Sequence, residues 1–189
     1  AISGDFPADL LHRLSGGTSY KEAVVSALKK GGLLRTCYRD KLRTFRLTNR
    51  SKAYLLEDQP ERFSFYLQGS SDTNRPKSEI TRRLRMCRIS ETCVTMRNAG
   101  IAVFRDEKPM IFAPEGSPVS QLEVPAFYSS REIKELGVET VKIRGARMVG
   151  VLLASPGVFL TYNNGASIAK WDYRAELRAK ALMKSVLCQ

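Results

Sequence analysis

A run of two short helical patterns, a glycine pair and a basic hairpin is the feature that most narrows the fold of this chain. The first pattern spans 6–14, with a proline in the first turn, where its missing N–H costs nothing. The second pattern begins at Ser19, and Glu22 stands at the spacing of a capping box. Gly31 and Gly32 end it, because glycine adopts left-handed backbone conformations without a Cβ clash.

Helical periodicity predicts which residues of the second helix face the core. Four apolar residues share the face that we expect to be buried: Ala23, Val24, Ala27 and Leu28. The polar residues are expected outside, and they include Tyr20, Lys21, Ser26, Lys29 and Lys30. The second helix is therefore predicted to present a basic outer face that begins at Ser19.

Two strands with alternating polarity follow the glycines, at 33–38 and 42–48, joined by 39–41. The second strand closes in Leu-Thr and is expected to lead into another helix. Five cations lie on this small hairpin: Arg35, Arg39, Lys41, Arg43 and Arg46. Such a density suits contacts with phosphates, and it suits an arginine entering a narrow minor groove.

A helix, a glycine-containing turn, a second basic helix and a charged hairpin, in this order, are typical of a winged helix-turn-helix domain. The chain has 31 Lys+Arg against 19 Asp+Glu, a net charge of +12, which favours a polyanionic partner. We therefore expect double-stranded DNA as the partner. Helix-turn-helix units also serve as packing modules, however, and basic hairpins can simply be solvated.

A polar segment at 68–75 without apolar periodicity places the predicted domain boundary near residue 72. The expected domains are 1–72, the winged helix-turn-helix, and 73–189, an α+β domain with an assembly role. The longest helical pattern spans 76–98 and carries a basic stripe of Arg82, Arg85 and Arg88, to which Arg83 adds. This stripe is expected to extend the DNA footprint or to bind an acidic partner, unless it is a solvated helix face.

The rest of the chain alternates strand and helix patterns, with short strands predicted at 101–105 and 110–112 and a short helix over 129–136. Apolar runs at 148–154 and 158–162 flank Ser-Pro-Gly, which is a strong hairpin signal. An amphipathic helix is predicted over 171–187. The fold class is thus predicted as α+β, with a winged helix-turn-helix followed by a small α/β layer domain built from a helix, a strand hairpin and a closing helix.

A metal-dependent nuclease of restriction-like architecture is the rival interpretation, because such enzymes place carboxylates on a strand hairpin. The predicted hairpin holds no carboxylate, so Asp106, Glu107 and Glu132 would have to converge. There is also no Walker loop, no C-x-x-C pair, and a single histidine, His12. We therefore expect binding rather than catalysis, with no metal and no cofactor.

Four strings resemble proteins of conjugative and mobilisable elements of Gram-positive bacteria and, more loosely, the replication-relaxation family. The strings are 42–48, 60–63, 125–134 and 144–152. The resemblance implies an accessory or regulatory role in replication or transfer of plasmid-like DNA, beside a relaxase or a replication protein. A homodimer is a further expectation, and a protein-interaction module without DNA binding is the other alternative.

No apolar run approaches the roughly 20 residues that span a bilayer. No signal peptide is expected at the start of the chain. We therefore expect a cytoplasmic protein with no membrane partner.

Overall fold

The computed structural model describes residues 1–67, 80–109, 124–129, 132–133, 148–155 and 157–163, with helical positions at 173, 176, 177 and 180. Helices and two small three-stranded sheets alternate in these ranges, so the predicted α+β class is confirmed. The chain divides into two compact units, 1–98 and 99–189.

The first unit begins with a sheet and the helices around it. Its elements are β1 (Phe6–Pro7), a 3₁₀ helix (Ala8–Arg13), α1 (Thr18–Lys30), β2 (Leu34–Arg39), β3 (Leu42–Leu47), α2 (Asn49–Asp58), α3 (Pro60–Leu67) and α4 (Ile80–Asn98). All strands are antiparallel, and β3 lies between β1 and β2. The helix expected after the hairpin is present, and the Thr48 side chain caps its first turn by accepting from the Ser51 N–H.

The β2–β3 hairpin turns over two residues, one fewer than the three-residue connection that the sequence predicted. Arg39 pairs with Leu42, and the turn residues Asp40 and Lys41 have φ values of 50° and 63°. Positive φ at both central positions is typical of the tight turn whose twist matches that of the two strands. The turn therefore fixes the register along the whole hairpin.

This register divides the hairpin residues between two faces, because successive strand side chains alternate. Thr44 is fully buried on one face, whereas Phe45, 6% exposed, is buried on the other. The Lys29 ammonium of α1 lies 4.8 Å from the Phe45 ring centroid. Helix α1 thus covers the Phe45 face, and another element covers the Thr44 face.

A buried ion network occupies the Thr44 face. Asp5 is 1% exposed, and its two carboxylate oxygens accept from Nε and Nη2 of Arg46 at 2.7 Å each. The Thr44 hydroxyl donates to the same carboxylate at 2.7 Å. Arg83 of α4 donates through Nη2 to the Thr44 hydroxyl at 2.7 Å and to the Cys37 carbonyl at 3.0 Å. Its Nε lies 4.0 Å from Asp5 Oδ1.

A second set of hydrogen bonds joins α4 to the start of the chain. The Ser90 hydroxyl donates to the Asp5 carbonyl at 2.6 Å, and the Ser3 hydroxyl donates to the same carbonyl at 2.8 Å. Because these contacts bind α4 to β1, the boundary predicted near residue 72 is wrong, and α4 belongs to the first unit. Arg83 and Ser90 are polar, so apolar periodicity could not reveal that they are buried.

The second unit is built on an antiparallel sheet of β4 (Ala126–Ser129), β5 (Met148–Ala154) and β6 (Gly157–Tyr162), in that order. The predicted hairpin is confirmed in β5 and β6, whereas β4 was not predicted. Phe127, Val151 and Leu153 are almost completely buried in this sheet. By strand alternation, Phe127 lies on one face of the sheet and Val151 and Leu153 lie on the other, so apolar side chains are buried on both faces.

Some of the other elements predicted for the second unit agree with the structure, and others do not. Instead of a strand over 101–105, the structure has one bridge at Ala102 and a 3₁₀ helix at Arg105–Glu107. Glu132 and Ile133 are helical, as predicted. So are positions 173, 176, 177 and 180 of the closing helix. The strand predicted at 110–112, the segment 68–75 and the rest of the closing helix lie outside the described residues.

Replacement of Asp5 by asparagine is expected to lower the free energy of unfolding by about 3–5 kcal/mol, because the buried guanidinium of Arg83 and the partly buried one of Arg46 then lack their carboxylate. Arg83→Met should lower the free energy of unfolding by less, because the ion pair between Asp5 and Arg46 remains intact. Urea denaturation followed by circular dichroism measures both changes. An Asp5→Asn variant as stable as the wild type would contradict the role given to this network.

Replacement of Gly150 by alanine is expected to destabilise the second unit by about 1–3 kcal/mol through overpacking. A Cβ at this position would lie 2.1 Å from the Tyr128 carbonyl oxygen, which is a backbone atom. Gly157→Ala is the matched control, because its Cβ would meet no atom nearer than 3.5 Å. Thermal unfolding should separate the two variants, and equal melting temperatures would refute the close approach.

Candidate nucleic-acid interface

Helix α1 begins one residue earlier than the sequence predicts. Gly17 is the N-cap, and no side chain caps the helix. Ser19 lies inside the first turn, so the predicted capping box of Ser19 and Glu22 is wrong. Ser19 remains exposed on the helix surface.

Lys21 was expected on the outer face of α1, and this expectation is wrong. The residue is 8% exposed, and its ammonium donates to the carbonyl oxygens of His12 and Leu14 at 3.1 Å each. These carbonyls lie at the end of the 3₁₀ helix, where backbone acceptors lack partners within the helix. Lys21 therefore joins the two helices and does not face a ligand.

The burial of Lys21 turns the predicted apolar face of α1 outward. Ala23 and Ala27 are exposed, and Val24 is 37% exposed. Of the four residues predicted to face the core, only Leu28 is half-buried. Tyr20 is outside, as predicted, and is 68% exposed. The outer face of α1 is thus more apolar and less basic than the sequence predicted.

We define a cationic rim composed of Lys29, Lys30, Lys41 and Arg43. Lys29 and Arg43 both lie over the Phe45 ring, the Arg43 Cζ at 6.0 Å from its centroid. Lys30 is exposed at the end of α1, and Lys41 is exposed in the hairpin turn. Lys29 and Arg43 thus lie on the Phe45 face of the sheet, with Lys30 at the end of α1 and Lys41 at the hairpin tip.

The remaining hairpin arginines lie on the opposite face, because Arg35, Arg39 and Arg46 share the alternation of Thr44. Arg46 was expected to contact phosphate, which is wrong: its guanidinium is bound to buried Asp5. This hydrogen bonding raises the pKa of Arg46. Arg39 lies 3.5 Å from the Asp40 carboxylate, with both side chains exposed.

Arg35 is exposed, and its charge acts on Lys52 of α2. Burial lowers the pKa of Lys52 in α2, and the charge of Arg35 lowers it further. The predicted wing cations therefore do not form a single surface.

Arg82 and Arg85 do not adjoin the cationic rim. Their helix, α4, packs through Arg83 on the Thr44 face of the sheet, whereas α1 covers the Phe45 face. Arg82 is half-buried and Arg85 is exposed. The basic stripe therefore lies on the other side of the first unit, and the inward position of Arg83 interrupts it.

The acidic residues of the rival nuclease interpretation have structural contacts. Glu132 accepts from the Lys108 ammonium at 2.5 Å and from the Ser129 N–H at 2.7 Å. Lys108 is buried and also donates to the Phe127 carbonyl at 2.8 Å. Burial and the nearby Glu132 raise the pKa of Tyr128, whose ring lies under Lys108. Sequence patterns carried no signal for this buried cluster, because its lysine stands in an irregular segment.

Glu107 has a different contact from Glu132. Its carboxylate accepts from the N–H groups of Val103 and Phe104 at 3.4 Å each. In the described ranges, no three histidine, cysteine, aspartate or glutamate residues are grouped so that they could hold a metal ion.

No family model matches this chain, and neither a curated protein nor a solved structure matches it significantly. Among the helices that the structure describes, none combines the length and apolar character needed to cross a membrane. The geometry of α1 and the hairpin is therefore the principal guide to function.

Replacement of Lys21 by alanine is expected to lower the free energy of unfolding by about 1–3 kcal/mol, because two carbonyl groups lose their donor. Lys30→Ala is the matched control, since it removes an exposed lysine from the same helix. Urea denaturation compares the two variants. A Lys21→Ala variant that keeps full stability would show that Lys21 is dispensable for joining the helices.

Proposed function

We propose that the first unit is a winged helix-turn-helix domain that binds double-stranded DNA, with α1 as the recognition helix and the β2–β3 hairpin as the wing. The observation that carries the proposal is the order of elements. A short strand precedes the 3₁₀ helix and α1, and β3 returns from the hairpin to pair with that first strand. A winged helix joins its helix-turn-helix to its wing in the same way.

Charge on the α1 side supports the proposal. The cationic rim borders α1 at Lys29 and Lys30 and continues along the hairpin at Lys41 and Arg43. A helix inserted in the major groove has phosphate backbones on both sides, and lysine and arginine bind phosphates without reading sequence. The proposed interface thus uses the rim for affinity and the outer face of α1 for base contacts.

The resemblance to proteins of mobile elements supports a narrower role. The protein would be an accessory or regulatory factor of a plasmid-like or conjugative element, acting beside a relaxase or replication protein. The second unit would mediate assembly, and a homodimer would bind two half-sites about one helical turn apart.

A protein-interaction module is the second candidate, and the exposure of Tyr20 and Val24 on α1 favours it. Exposed aromatic and aliphatic side chains on one helix face can dock against a partner's apolar groove. This module would show no salt-dependent affinity for DNA, so the same experiment separates the two candidates.

Fluorescence anisotropy with a random duplex, over a salt series, tests the proposal. We expect the affinity to fall with salt, and we expect Lys41→Ala/Arg43→Ala to weaken binding. The slope of log affinity against log salt should decrease by about 0.9 for each phosphate that the variant no longer neutralises.

The matched control is Arg35→Ala/Arg39→Ala, which removes the same charge from the opposite face of the same hairpin. This variant should bind more tightly than Lys41→Ala/Arg43→Ala. Equal losses of affinity in the two variants would indicate attraction by net charge alone. A folded protein that binds no DNA at low salt would overturn the proposal and favour the interaction module.

A further inference from the structure

The outer face of α1 carries a continuous apolar strip, which we define as Tyr20, Ala23, Val24 and Ala27. These residues follow the i, i+3, i+4, i+7 spacing that places side chains on one helix face. Tyr20 is 68% exposed, Val24 is 37% exposed, and both alanines are exposed. The strip lies on the helix surface that the first unit leaves uncovered.

The side chains that recognise purines most directly are missing from α1. Its sequence, TSYKEAVVSALKK, contains no arginine, asparagine or glutamine. Arginine binds guanine in a bidentate manner, and asparagine or glutamine does so with adenine. Lysine can also bind guanine, but Lys21 is buried, Lys29 lies over Phe45, and Lys30 stands in the last turn, where we assign it to the cationic rim.

Apolar side chains also have a partner in the major groove. The C5-methyl group of thymine projects there, and alanine or other apolar groups contact it. The two alanines of the strip add little bulk, so the helix backbone can approach the base edges closely. Exposed hydroxyl groups at Ser19 and Ser26 can accompany these contacts, since serine hydrogen-bonds to several base edges.

Charge complementarity selects duplex DNA as the occupant of the strip. The cationic rim begins at Lys29 and Lys30, within the last turn of the same helix. Arg43 lies over the ring that Lys29 also covers. An apolar strip next to cations fits a groove in which methyl groups lie between phosphate backbones.

We propose that the apolar strip contacts thymine methyl groups, so that the protein prefers A·T-rich major grooves. This inference rests on the proposed function, in which α1 enters that groove. Glu22 is the one acidic residue of α1, and it is exposed. Because a carboxylate can accept from the cytosine amino group, a preference for G·C pairs is the opposing outcome.

The test measures binding of the full chain to three alternating duplexes: poly(dA-dT), poly(dA-dU) and poly(dG-dC). Uracil lacks only the methyl group, so the wild type should bind poly(dA-dU) more weakly, by roughly fourfold for each methyl group that the strip would otherwise bury. Val24→Ser/Ala27→Ser should reduce this difference. Ala53→Ser on α2 is the matched control, because it changes an exposed alanine outside the strip and should keep the difference.

Two results would overturn the inference while leaving the proposed function intact. The first is equal binding to poly(dA-dT) and poly(dA-dU) when Lys41→Ala/Arg43→Ala still weakens both. The second is a preference for poly(dG-dC) that Glu22→Gln removes. Absence of binding to all three duplexes by the folded protein would overturn both proposals. Circular dichroism verifies that each variant is folded.

Discussion

The carboxylate of Asp5 is the group on which the first unit depends. It holds the Arg46 guanidinium in a bidentate pair and accepts from Thr44, which in turn accepts from Arg83. Residues distant in the sequence thereby meet at one buried point, linking β1, β3 and α4. The arrangement is unequal, since two guanidinium groups share one carboxylate, and a buried charge of this kind is tolerated only where its hydrogen bonds are made.

The same network determines what remains for a ligand. Once Thr44 and Arg46 face the interior beneath α4, strand alternation directs Arg43 and Phe45 to the α1 side. Cations that look equivalent along the hairpin sequence thus acquire separate roles. Some stabilise the fold, and others stay available beside the helix that we propose as the recognition helix.

Local patterns predicted the order of the elements well, including the basic hairpin, the helix after Thr48 and the β5–β6 hairpin. They failed where polar residues are buried. Lys21 and Arg83 were assigned to the surface because periodicity treats charge as exposure, yet tertiary hydrogen bonds bury both. The predicted orientation of α1 and the predicted domain boundary differ from the structure for this reason. A lysine that caps a neighbouring helix leaves no signal in sequence spacing.

The hairpin turn has a further consequence for the chemistry of its tip. Left-handed backbone costs an ordinary residue about 1–2 kcal/mol, less for aspartate, and glycine adopts it freely. Asp40 and Lys41 both hold this conformation, although neither is glycine. A more relaxed turn with glycine at position 41 would lose the ammonium group at the end of the hairpin. The lysine at position 41 therefore carries a conformational cost that glycine would avoid, and it keeps a positive charge at the end of the hairpin.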